Sequence, residues 1–164
     1  MFTFLSSRFF IKLIPFVIIF LISLIGFGCI EDETVVKTPP SLELRLFQAV
    51  ENGNLEEVKN LLAQGASINA KDSLGNSSLI KAVDEEEMEL TKFLIQKGAN
   101  VNLRNTMGET ALYRAVYRGN LDLVKLLVKA GAETKVKTVG GISISELAEE
   151  RGEEGILKYL QSLK

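Results

Sequence analysis

"ETALYRAVYRGNLDLVKLLVKAGAE", residues 109–133, is the stretch from which the rest of the chain can be read. Leu112, Ala115 and Val116 fall on one face at helical spacing, and after the Gly119-Asn120 break Val124, Leu127 and Val128 do the same. Two short amphipathic helices joined by a turn are therefore expected. Each has only two or three turns, too few to hold in water without neighbours, so the apolar faces must be buried by stacking on similar units.

Those units are present at a fixed step. Ala49, Ala82, Ala115 and Ala148 stand 33 apart, as do Leu61, Leu94, Leu127 and Leu160. Gly75, Gly108 and Gly141 keep the same spacing, and so do the Gly-Ala pairs that begin at Gly65, Gly98 and Gly131. A period of this length marks a repeat array. The small alanine lets the two helices of a unit approach closely, and Gly131 ends the second helix where a left-handed residue is needed.

The pattern resembles the ankyrin repeat over residues 41–164. The family's "GxTPLHxA" is matched by "GNSSLIKA" from Gly75 and "GETALYRA" from Gly108, with Ile80 and Tyr113 in the place of the histidine. The "LLxxGAxxN" tail is matched by "LLAQGASIN" and "LIQKGANVN", and erodes to "LVKAGAETK". The resemblance implies an all-α solenoid of paired antiparallel helices. It divides into an amino-terminal cap at 41–71, full repeats at 72–104 and 105–137, and a truncated carboxyl-terminal cap at 138–164. Because that histidine normally ties neighbouring turns together, its absence is expected to loosen them. "SELAEERGEEG", 145–155, supplies the polar outer face that a terminal unit needs, and Ser41 is placed to cap the first helix.

One column breaks the rule. Gly53, Gly119 and Gly152 separate the helices of their units, but the second unit has Glu86 there. Either Glu86 is strained or the turn is remodelled. The run "DEEEME", 84–89, lacks the glycine spacing of a calcium loop. Glu86, Glu87 and Glu89 are instead expected at a helix start, where the dipole favours acids.

The chain contains no histidine and no tryptophan, which removes the commonest general base and metal ligand. A single cysteine excludes an intrachain disulfide and a cysteine-built zinc site. No nucleophile–base pair or phosphate-cradling loop is found, and the two glycines of "TVGGIS", 138–143, sit at a repeat turn. An enzyme is not expected, nor is a cofactor or a metal.

The amino terminus differs from everything after it. Arg8 and Lys12 precede a run with no charged residue until Glu31, and all 21 acids follow that run. Only 17 Lys and Arg accompany them, a balance of about −4 that discourages nucleic-acid binding. A basic start, an apolar run and a small-residue boundary describe an export signal. "GFGCIEDE", 26–33, places the only cysteine where the apolar run meets the acids. This resembles a bacterial lipoprotein signal, although Gly26 stands where that signal usually has an aliphatic residue. The resemblance implies a signal peptide at 1–28 and a lipid on the sulfur of Cys29. An uncleaved membrane anchor, a plain secretory signal and a cysteine serving only as a small hydrophobe are the other readings. "EDETVVKTPPS", 31–41, follows as an extended spacer, so 29–40 reads as a flexible tether.

The ankyrin resemblance implies protein–protein recognition, through turn tips and the exposed side of the first helices. By column these positions are Ser73, Leu74, Asn76, Asp84 and Glu85 in the second unit, and Thr106, Met107, Glu109, Tyr117 and Arg118 in the third. Glu51 and Asn52 extend the wall into the first unit. Tyr117 and Arg118 belong to residue types enriched in binding hot spots. Asp84 and Glu85 would suit a basic patch, and the third unit an acidic or aromatic one. Alternatively the charges are a solvated face, with Tyr117 and Arg118 stacked on each other. The expected protein is a monomeric, membrane-anchored binding module on the exported side of a bacterial envelope. A structural spacer and an inhibitor or immunity-type lipoprotein are the alternatives.

Overall fold

A computed structural model describes residues 40–163. The apolar run, Cys29 and the tether up to residue 39 lie outside the described residues. Within them the backbone forms eight helices, linked by turns that contain only isolated bridges. These are α1 (Leu42–Glu51), α2 (Leu55–Ala63), α3 (Ser78–Asp84), α4 (Met88–Gln96), α5 (Ala111–Tyr117), α6 (Leu121–Lys129), α7 (Ile144–Glu150) and α8 (Glu154–Ser162). They form four antiparallel pairs, and the first helices α1, α3, α5 and α7 pack in series to build the stack.

Each helix begins where the sequence offers an acceptor or an acid. Ser41, Ser77 and Thr110 hydroxyls accept from backbone N–H groups three residues on, at 3.2–3.3 Å. Asn54 and Asn120 do the same for α2 and α6. Ser143 and Glu146 form a reciprocal capping box at α7. Glu87 occupies the cap position of α4 without bonding it through its side chain, and Glu89 lies in the first turn.

The core follows the repeated columns. Ala82, Ala115 and Ala148 are fully buried between helices, and Leu61, Leu94 and Leu127 are fully buried beneath them. They belong to one continuous cluster running from Leu46 to Leu160. Each such leucine contributes about 2 kcal/mol by leaving water. No unit could supply that burial by itself. Among the described residues, no helix is long and apolar enough to cross a membrane.

Glu86 resolves the broken column. Its φ is +58°, the left-handed region, and it is the one non-glycine among the described residues found there. It therefore belongs to the turn before α4 and not to the helix start expected for it. The turn keeps its shape because Glu86 accepts the strain, and its carboxylate accepts from Asn120 Nδ2 at 2.9 Å. Glu86→Gly is expected to stabilise the domain by about 1 kcal/mol, since the lost surface hydrogen bond is worth less than the relieved strain. A melting temperature raised by roughly 3–5 °C would report it. An unchanged or lowered value would show that the turn is unstrained.

Candidate functional site

The turns that precede α3, α5 and α7 are hairpins built by one repeated device. Asp72 Oδ1 accepts from the N–H groups of Leu74 and Asn76 at 2.9 and 2.8 Å. Asn105 Oδ1 accepts from Met107 and Glu109 at 3.0 and 2.9 Å. Thr138 Oγ1 accepts from Ile142 at 3.3 Å. Asp, Asn and Thr thus perform one task at one column, because the turn needs a short side chain with an acceptor oxygen. Burial raises the Asp72 carboxyl, but the donors from Asn76 and Leu74, with Lys81 nearby, outweigh it and hold the group below its ordinary range.

Neighbouring hairpins are tied by their backbones. Thr106 donates to Leu74 O through both its N–H, at 3.0 Å, and its hydroxyl, at 2.9 Å. Val139 N–H donates to Met107 O at 2.9 Å. Behind the tips, Asn105 Nδ2 donates to Asn76 Oδ1 at 3.0 Å and to Glu109 Oε2 at 2.7 Å. Arg114 Nη2 completes the cluster 3.1 Å from Glu109. These links tie the neighbouring turns together in units where Ile80 and Tyr113 stand in the place of the histidine. Both of those side chains are buried. Burial first, and then the negative charge of Glu109, pushes the Tyr113 hydroxyl above its ordinary value.

Two of the expected contact residues are therefore internal. Asn76 and Glu109 are 9% and 8% exposed and spend their polar atoms inside the hairpin stack. Turn residues read as surface when only the local chain is considered; Asn76 is met by Asn105 of the adjoining unit, and Glu109 by Asn105 and Arg114 of its own. The apolar residues behave in the opposite way. Leu74, Met107 and Val139 are 61%, 52% and 79% exposed at successive tips, and Tyr117 is 41% exposed at the end of α5. Thr106, Glu85 and Arg118 are also exposed, as are Ser73, Glu51 and Asn52. Val139 was not anticipated as part of this edge, because Gly140 holds the column of Leu74 and Met107.

A family model described as ankyrin repeats, in three copies, matches residues 46–138. The chain belongs to the ankyrin-repeat family. No curated protein is similar enough to be matched with it. Ankyrin repeats are protein-binding modules, and the helix pair α7–α8 adds a fourth unit beyond the matched residues.

Along the first helices of the ankyrin stack, acids and bases alternate across the unit boundaries. Glu51 pairs with Lys81, whose ammonium also lies 3.5 Å from Asp72. Asp84 receives Arg118 through Nε at 3.2 Å and Nη2 at 3.1 Å, and Arg114 Nη1 lies 3.7 Å from it. Asp84 and Arg118 are thus joined to each other, which corrects the expectation of opposite free charges on the second and third units. The next junction changes character. Tyr117 stands 33 residues after Asp84, and Leu147 stands 33 after Arg114, so no ion pair can form there. Instead the Arg151 guanidinium sits 4.3 Å from the centre of the Tyr117 ring, with Arg114 5.8 Å away on the ring as well. Tyr117 consequently stacks with Arg151 and not with Arg118.

A second ladder lies at the opposite end of the units. Asn69 Oδ1 accepts from Asn100 N–H at 2.9 Å, and Asn102 Oδ1 accepts from Glu133 N–H at 2.9 Å. Lys135 holds this column in the third unit, where the tail motif erodes and the ladder ends. The asparagines of the tail motif are accordingly joints between units.

Proposed function

We propose that the protein is a membrane-anchored ankyrin module that binds a protein partner on the exported side of a bacterial envelope. Binding is assigned to the hairpin tips and to Tyr117 at the far, carboxyl-terminal end of α5. The supporting observation is where most of the exposed oily side chains lie: Leu74, Met107 and Val139 occupy consecutive tips and Tyr117 the helix wall, with only Leu44 and Leu163 elsewhere among the described residues. Exposed apolar side chains gathered along one edge, together with an aromatic held by arginine, fit a recognition surface better than an inert spacer. Anchoring is supported by the basic start, the uncharged run and the position of Cys29 before Glu31, Asp32 and Glu33.

The fragment 40–164 contains the whole hydrophobic cluster and can serve as bait for detergent-solubilised membranes. Leu74→Ala combined with Tyr117→Ala is expected to reduce recovery of a retained partner by roughly tenfold or more. The melting temperature should change by only a few degrees, since both side chains are exposed. Undiminished recovery would remove this face from consideration. Mass spectrometry of the mature amino terminus tests the anchor, with an acylated Cys29 as the expected product and an unmodified cysteine as the contrary one.

A further inference from the structure

Building on that proposed binding face, we infer that its partner presents an extended segment in which carboxylates alternate with apolar residues. The hairpins carry five charged side chains, and the structure sorts them by sign. Lys71, Arg104 and Lys137 are exposed and stand 33 residues apart, one at the base of each hairpin. The two acids are withdrawn. Asp72 is half-buried and occupied by its own turn, and Glu109 is buried against Asn105 and Arg114. Glu146 on the following helix is exposed and feels the charge of Lys137, but its carboxylate is engaged in capping Ser143.

Apart from the hydroxyls of Ser73 and Thr106, what remains accessible on the hairpins is apolar and cationic, on a chain whose formal net charge is −2. That segregation matters because unsorted charges would offer a partner no preferred sign. Each unit presents one oily tip and one base, so a complementary ligand needs one carboxylate and one apolar group per unit. Packed helices lie about 8–10 Å apart, and a polyproline II segment advances about 3.1 Å per residue with three residues per turn, so every third side chain returns to the same face about once per unit. An extended ligand therefore meets the period of the tips, with acids at every third position. Lys71 is partly committed, because its ammonium donates to Arg104 O at 2.8 Å. Arg104 and Lys137 have no ion-pair partner among the described residues, which makes them the principal contacts.

The test uses fragment 40–164 and a synthetic ten-residue peptide with Glu at every third position and Leu and Ser between. A second peptide replaces each Glu by Lys, and phosphatidylglycerol vesicles form a third arm. Fluorescence anisotropy is expected to show binding of the Glu peptide that weakens with salt, and no binding of the Lys peptide. Arg104→Gln with Lys137→Gln should weaken the Glu peptide roughly tenfold without altering the circular dichroism spectrum. Arg104→Glu with Lys137→Glu should transfer the preference to the Lys peptide. The inference is overturned if the Glu peptide fails to bind, if both peptides bind equally, or if the Gln pair changes nothing. Vesicle binding that the Glu peptide cannot compete away would also overturn it, in favour of a lipid surface. Retention of a membrane-derived partner separates the two levels. If it is lost with Leu74→Ala and Tyr117→Ala but unaffected by the Gln pair, the face stands and its acidic ligand class does not.

Discussion

The Asn105→Ala variant is expected to unfold with about 4 kcal/mol less free energy than the parent chain. Asn105 is buried and makes four hydrogen bonds with one amide group. Its oxygen accepts from the N–H groups of Met107 and Glu109, and its nitrogen donates to Asn76 and Glu109. Truncation strands two backbone donors and removes one of the two groups that hold the Glu109 carboxylate, where little water can enter. Arg114 would be left as the main support for that carboxylate. Asn102 provides the control, since its side chain also joins two units but is only half-buried. Asn102→Ala should cost about 1 kcal/mol, because water can take over the vacated partners. Urea denaturation of both variants measures the difference. Equal losses would mean that the buried cluster has no special weight.

Gly108→Ala is expected to cost about 3 kcal/mol, for two separable reasons. The residue has φ +78°, and a methyl group built there would lie 2.9 Å from Val139 N and 3.3 Å from Thr138. Backbone cannot swing aside as a side-chain tip can, so the hairpins would have to separate and the Val139 to Met107 hydrogen bond would suffer. Gly98 isolates the conformational part. It has φ +86° with nothing within 4 Å of the added methyl, so Gly98→Ala should cost only about 1 kcal/mol. Thermal melts of the two alanine variants, compared directly, give the collision energy as the difference. If the variants melt together, the close approach of the hairpins is not a constraint.

These expectations show which features the chain displays locally and which it conceals. Ala82, Ala115 and Ala148 announced the stack because helix packing demands the same small residue at every turn of the period. Leu94 and Leu127 did so because burial tolerates little change of volume or polarity. The hairpin column was hidden, since Asp72, Asn105 and Thr138 share an oxygen and not a residue type. Asn76 was misplaced because its partner Asn105 is 29 residues away, and Glu109 because the turn folds it back onto Asn105 and Arg114. The Asp84–Arg118 pair has the same origin, as its members are 34 residues apart. Glu86 was legible as a conflict between residue and column, and its positive φ settles how the backbone answers it. The reading of Cys29 concerns residues outside those described, and acylation chemistry is its proper test.

The close approach at Gly75 and Gly108 also determines how the proposed binding edge can evolve. A missing methyl and a single N–H···O contact set the distance from each tip to the next, so the pitch is written in main chain. Exchanging Leu74, Met107 or Val139 would alter what the proposed edge recognises at each graduation while leaving the graduations where they are. On the proposed reading the edge would behave as a ruler with interchangeable markings, along which a displaced ligand would settle in whole-unit steps.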